Sequence, residues 1–339
     1  MKHSVSKRPG PKRPGQKRSG SQCPGSQRSA LILLAHGSRH NHVTHALRDI
    51  TDAVARQSRI AGRFGVHMAF LDHAEPDLVQ VSARLAELGY DRAVVVPLLF
   101  TDAFHSRVDV PAQVKEAQNV SGLAMSIARG LGTGGDLAAV LEQRFSQLVP
   151  EEANSLATTP APVIRVLYSV GSSDPVANDA VSRLAASIGA ASVAATGEHP
   201  KGVAAIDHII THHGETINGD PHHGGTDHGG PDEGPRKKDR SVTELGASFV
   251  DPLVVVQPLF VAPGKLWAMA TKEIAHRQGK FESPGPDWPH TRVTYSRGDT
   301  PQARGHSHAT LGLSGARFRC GSPLGVDLAP MIAERACSV

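Results

Sequence analysis

Two histidines and one aspartate are placed as metal ligands often are, each at or just beyond the end of an apolar run. "LILLAHGSR" (31–39) reaches His36, "VHMAFLD" (66–72) reaches Asp72, and "RAVVVPLLF" (92–100) is followed a few residues later by His105. If the three runs are parallel strands of one sheet, their carboxyl ends share a rim, which is where open parallel sheets bind ligands. Two imidazoles and a carboxylate on one rim suit a borderline divalent ion such as Fe, Co, Ni or Zn, and leave positions open for a substrate. Gly37 lets the chain turn sharply after His36. Ser38 and Arg39 then face the rim as donors for carboxylates. Each residue also has a plainer reading. A lone histidine after a strand commonly satisfies a loop, and Asp72 would suit the cap of a following helix. His40, His42, His45, His67 and His73 lie nearby in the chain and are read as ordinary histidines.

The surrounding pattern supplies the strands. Residues 30–35, 66–72 and 92–100 are largely apolar and read as strands. Between them, 41–57 carries Val43, Leu47, Ile50 and Val54 at helical spacing. Residues 75–90 read as a helix with Pro76 in its first turn and Gly89 at its end. A further helix starts in "VDVPAQVKEAQ" (108–118). Strands alternating with helices predict an α/β fold, a parallel sheet covered on both faces.

The pattern then repeats. "IRVLYSVGSSD" (164–174), "PVANDAVSRLAASIG" (175–189), "SVAATGEHP" (192–200) and "DPLVVVQPLFVAPGKL" (251–266) parallel the first half, and "LGVDLAPMIAER" (324–335) parallels "LGTGGDLAAVLEQR" (131–144). The expected architecture is two lobes related by internal duplication: residues 30–148, a linker at 149–162, and residues 163–339. In the second copy Val170 stands for His36, Thr196 for Asp72, and Lys265 and Leu266 lie around the place of His105. Loss of all three candidate ligands with the apolar pattern retained suggests that the set is functional and that one copy suffices.

A histidine-rich stretch at 207–240 carries His208, His212, His213, His222, His223 and His228 among Gly, Asp and Pro. It reads as a surface loop, either a collector of metal or a tolerated insertion. Residues 280–320, rich in Pro, Gly and Arg, suggest no element.

Length and composition exclude several classes. The 339 residues suffice for two domains, with 39% apolar and only 4% aromatic residues, so the core is built from Ala, Val, Leu and Ile. The net charge of +4 is concentrated in residues 1–29, which hold eight Lys or Arg and no acid. That Pro-, Gly- and Ser-rich tail is expected to be disordered and solvated rather than a nucleic-acid arm. It lacks the apolar core of a secretory signal. No run approaches the ~18 apolar residues of a membrane helix. Three scattered cysteines, Cys23, Cys320 and Cys337, argue against a disulfide framework. A cytoplasmic protein is expected.

"LLAHGSR", "AFLDHAEP" and "VVVPLLFTDAFHSRVDVP" together resemble the CbiX/SirB family of sirohydrochlorin chelatases, strongly over residues 30–118 and weakly through the second half. The resemblance implies an enzyme that inserts Co²⁺ or Fe²⁺ into sirohydrochlorin, serving cobalamin or siroheme synthesis, with no organic cofactor. It implies metal binding by His36 and His105 with an acidic third ligand. The family usually has Glu where this chain has the shorter Asp72; Glu75 is the alternative. The family's "HDIP" becomes "VDVP", which keeps Asp109 and Pro111. Arg107, with Ser38 and Arg39, would anchor substrate carboxylates, and Lys265 would reach from the second lobe. That lobe would form the far wall of the cleft, as a partner subunit does in short relatives, so a monomer is sufficient. The competing expectation is a non-catalytic metal store that uses the same fold and the histidine-rich loop.

Overall fold

The computed structural model describes residues 28–101, 105–149, 161–197, 200–216, 251–278, 293–294 and 316–339; side chains at 105, 106, 213–216, 293 and 294 are not described. The basic tail up to residue 27, most of the linker, His222, His223 and His228 lie outside the described residues.

The first half runs β1 (Ser29–Ala35), α1 (Asn41–Ala55), β2 (Phe64–Phe70), α2 (Leu78–Glu87), β3 (Arg92–Pro97), α3 (Val110–Ser121), β4 (Ala124–Ile127) and α4 (Gly135–Leu148). The second runs β5 (Val163–Ser169), α5 (Pro175–Ser187), β6 (Ala191–Ala194), α6 (Val203–Thr216), β7 (Leu253–Pro258), α7 (Lys265–Arg277), β8 (Val293–Thr294), β9 (Arg317–Cys320) and α8 (Ala329–Cys337). The first sheet is parallel, in the order β2-β1-β3-β4. The second repeats that order as β6-β5-β7-β9, also parallel, with β8 added antiparallel at the edge. The added edge strand departs from the purely parallel expectation. The internal repeat read from the sequence is therefore a repeat of topology.

β1 is apolar along its length because both its faces are covered. Ala30, Ile32 and Leu34 pack with Leu78, Val81 and Leu85 of α2 and Val114 of α3. Leu31, Leu33 and Ala35 face the opposite way, onto Leu47, Ile50 and Val54 of α1. This second cluster is shared between the sheets, since it also contains Leu167 of β5 and Val255 of β7. Each such Leu, Ile or Val side chain taken from water contributes roughly 1.5–3 kcal/mol.

Element bounds shift for identifiable reasons. β3 and β7 end at Pro97 and Pro258, because proline has no N–H for the ladder. α2 starts at Leu78, with Pro76 outside it. Asp77 is its N-cap and forms a capping box with Gln80. β2 lies two residues earlier than expected, since Phe64 and Gly65 already pair with Ser29 and Ala30. Asp72 thus sits in the loop beyond β2 and not at its end. His208, His212 and His213 belong to α6, not to a loop. Val203, Ala205 and Ile206 of its first turns pack into the second lobe's outer core and hold that helix in place.

The last helix of each half crosses to the other sheet. α4 packs on β7, and α8 packs on β3 and α1. The duplicated residues Asp136 and Asp327, and Arg144 and Arg335, then meet reciprocally. Arg144 pairs with Asp327 at 2.5 Å, and Arg335 pairs with Asp136. Arg335 also donates to the carbonyls of Gly130 and Leu131, each at 3.2 Å. One chain thereby reproduces the twofold logic of an isologous dimer.

Candidate metal and substrate site

His36 follows β1 directly and is exposed at the carboxyl rim of the first sheet. The ladder continues past the strand ends. The Leu71 N–H donates to the Ala35 carbonyl at 2.8 Å, and the Asp72 N–H to the His36 carbonyl at 3.0 Å. His36 and Asp72 are therefore fixed side by side by backbone. Gly37 makes this possible. Its φ is +93°, and a Cβ there would stand 1.9 Å from the Asp72 carbonyl oxygen. From α3, Gln113 Nε2 donates to the Leu71 carbonyl at 2.8 Å, bracing the same turn.

His36, Leu71, Asp72, Asp109, Ala112 and Gln113 line a cavity of about 260 Å³. Beside it lies a second cavity of about 320 Å³, whose lining includes Ser38, Arg39, His73 and Glu75. The acidic candidates are thus separated: Asp72 shares a cavity with His36, and Glu75 lies with Ser38 and Arg39. The backbone of His105 opens a π-helical turn (His105–Asp109) leading into α3, an irregularity common at functional sites. Among the described residues no three His, Cys, Asp or Glu side chains converge to hold an ion. The His105 side chain is not in that set.

Arg107, in the same turn, reaches across to the second lobe, where its guanidinium is 3.8 Å from Asp174. Asp174 caps α5 through the Val176 N–H at 2.9 Å. Sequence reading had no pointer to Asp174, because a cap on one lobe does not advertise a partner on the other. Lys265 is the exposed first residue of α7. Between the lobes, a cavity of about 160 Å³ is lined by Leu99, Phe100 and Thr101 from one side and by Val170, Gly171 and Ser172 from the other. The largest of these cavities, about 410 Å³, is elsewhere, on the flank between α1 and α2. There burial holds the His67 imidazole below its ordinary pKa, and its ring meets Tyr90 edge-on at 5.8 Å.

Residues 30–148 match the CbiX family model. The first lobe is similar to the CbiX family. Over 127 residues it is 24% identical to the sirohydrochlorin cobaltochelatase of Sulfurisphaera tokodaii, spanning 37% of this chain and 98% of that protein. The Sulfolobus acidocaldarius sirohydrochlorin cobaltochelatase is 27% identical over 125 residues, 37% of this chain and 96% of its own. Both curated relatives are one lobe long. The two-lobed fold is that of SirB from Bacillus subtilis, solved with Fe³⁺, with a TM-score of 0.55 at 14% identity over 92% of this chain and 95% of that one. A CbiX described as the terminal enzyme of siroheme biosynthesis in denitrifying bacteria superposes with a TM-score of 0.50 at 17% identity, covering 91% and 99% of the two chains.

The first lobe and its copy share the same backbone hydrogen bonds at the rim. In the second lobe the Ala195 N–H donates to the Ser169 carbonyl at 2.8 Å and the Thr196 N–H to the Val170 carbonyl at 3.0 Å. Gly171 (φ +86°) takes the place of Gly37, and its added Cβ would be 2.6 Å from the Thr196 carbonyl oxygen. The Leu98 and Leu259 amides donate to Leu34 and Tyr168, both at 2.8 Å, which places Leu266 opposite His105 by count. Leu266 packs on the second lobe's outer core. The backbone frame is duplicated, and the candidate ligands are present once. Gly37→Ala is expected to cost about 2 kcal/mol or more, since backbone blocks the methyl and φ is wrong for alanine, and to weaken Co²⁺ binding at least tenfold. Gly171→Ala should bring comparable strain and leave Co²⁺ binding intact. Denaturant melts and Co²⁺ titration of the two variants check this.

Proposed function

We propose that the protein is a sirohydrochlorin chelatase, a lyase-class enzyme that inserts Co²⁺ or Fe²⁺ into sirohydrochlorin. The observation that carries this reading is the CbiX rim itself, where His36 and Asp72 are locked together by backbone in the first lobe and replaced by Val170 and Thr196 in an otherwise matching second lobe. The likeness to cobaltochelatases and to SirB supports the substrate class.

The metal is a substrate in this chemistry. His36 and His105 present it from the carboxyl end of the first sheet, with the Asp72 carboxylate lining the His36 cavity. Two pyrrole N–H protons leave as the divalent ion enters, so charge balances. Imidazoles titrate near neutrality and can accept those protons once the metal has moved to the macrocycle. Ser38 and Arg39 line the adjacent cavity and offer donors to the substrate's carboxylates. Arg107 would exchange Asp174 for a substrate carboxylate. The second lobe forms the far wall, so a monomer is complete.

A metal store remains the rival reading, and one observation favours it. His208 and His212 lie one turn apart on α6 with ring centres 3.9 Å apart, at the start of the histidine-rich stretch. Deleting residues 217–240 together with His208→Ala and His212→Ala separates the two readings. An enzyme keeps its turnover at excess metal and loses only bulk metal loading. A store loses most of its bound metal, whereas His36→Ala would leave its loading unchanged. Metal analysis and turnover of both variants decide between them.

A further inference from the structure

His73 has a backbone that its side chain makes costly. Its φ is +61°, the left-handed region, and it is the one non-glycine residue with positive φ among the described residues. Counting along the matched ladder from Asp72 and Thr196, the second lobe has Gly197 at this position, with φ +109°. The turn demands positive φ in both lobes. The lobe without candidate ligands uses the unstrained residue, and the CbiX lobe holds a histidine there. Strain kept in one copy only is a pointer to function.

The surroundings say which function. The His73 N–H donates to Asp72 Oδ1 at 2.6 Å, and His73 Nδ1 lies 3.2 Å from the same oxygen. The His73 ring stands edge-on to the His36 ring, with centres 6.0 Å apart and planes at 73°. Two imidazoles that share one ion at about 2.1 Å from each nitrogen have ring centres roughly 5–6 Å apart. A carboxylate beside Nδ1 favours the tautomer with its proton there, leaving Nε2 as the coordinating nitrogen, the usual carboxylate–histidine–metal arrangement.

Resting on the chelatase reading, we infer that His73, which lines the adjoining cavity, reaches over the rim as a direct ligand of the substrate metal with His36, and that Asp72 acts behind it as the carboxylate that orients its ring. The short Asp72 side chain then suits its role. It needs to reach only its neighbour's Nδ1, which it does, and not the metal.

The test is anaerobic titration of the purified full-length protein with Co²⁺ alone, in wild type and in His73→Gly, Asp72→Asn, the double variant and His36→Ala. Glycine suits the backbone, so His73→Gly should melt at or above the wild-type temperature while binding Co²⁺ at least tenfold more weakly, with partial rescue by added imidazole. Asp72→Asn should weaken binding in the wild type and add nothing in the His73→Gly background, since it acts through His73. Wild-type Co²⁺ affinity in His73→Gly overturns the inference, as does an Asp72→Asn effect that persists undiminished without His73. His36→Ala reports on the parent reading separately. If it binds Co²⁺ as the wild type does, the rim is not the metal site, whatever His73 does.

Discussion

His36→Ala is expected to bring metal insertion down to the uncatalysed background and leave the fold intact. His36 is exposed and follows the last buried residue of β1, so truncating it opens no cavity in the core. Its contribution to the ladder is its backbone carbonyl, which alanine keeps. The loss is therefore expected mainly in the chemistry and not in the core. A fall of about a thousandfold corresponds to ~4 kcal/mol of transition-state stabilisation. Stopped-flow absorbance of insertion checks the rate and circular dichroism checks the fold. A variant that melts normally and inserts metal at more than about a tenth of the wild-type rate would remove His36 from the mechanism.

The largest stability effect is expected far from the rim, at Arg335. Its side chain is only 4% exposed and serves Asp136 and the carbonyls of Gly130 and Leu131, all from the other half of the chain. Arg335→Met keeps the apolar stem but leaves those oxygens without their donor. Breaking a buried pair from one side costs about 3–5 kcal/mol, and the 30% exposure of Asp136 puts the expectation at the lower end. Arg144→Met, the duplicate change, should cost less, about 1–2 kcal/mol, because Arg144 and Asp327 are 18% and 42% exposed, although Arg144 also donates to Ser322 Oγ and the Leu324 carbonyl, each at 3.1 Å. Denaturant melts of the two variants give the comparison directly. The pair also has a pH signature. Burial would raise the Asp136 carboxyl, but the Arg335 hydrogen bond, the Leu137 amide and the charges of Arg335 and Arg129 outweigh it and hold the pKa low. A depressed carboxylate stabilises the fold fully above its unfolded value of about 3.9, and loses that contribution as pH falls through its folded value. The stability gap between wild type and Asp136→Asn should therefore be constant near neutrality and shrink below about pH 4.

The central strands were legible because they are buried on both faces. β1 and β3 have no polar side to blur the apolar run, and the same holds for β7. β4 was not legible: of its four residues "AMSI" the outer two are exposed and the inner two half-buried, and they carry no run. The start of α2 was misplaced by attention to Pro76, although the Asp77–Gln80 capping box was present in the sequence. The duplication was visible, but not the crossing of α4 and α8. A helix's period says that it has an apolar face and not whose sheet it covers. At the site, His36, Gly37 and Asp72 were found by their place after apolar runs. His73 was passed over as an ordinary histidine, because its signal is a backbone angle. The sequence held only the hint that its duplicate is Gly197. Asp174 and Gln113 escaped notice because their partners are distant in the chain.

The measurement that bears most directly on the account is the anaerobic absorbance spectrum of sirohydrochlorin mixed with the protein and Co²⁺ or Fe²⁺, beside a protein-free control and His36→Ala. The account predicts conversion to the metallated spectrum faster than the control with at least one of the two ions, and at the control rate in the variant. Tight metal binding with no acceleration by either ion would contradict it and leave a metal-binding protein built on a chelatase fold.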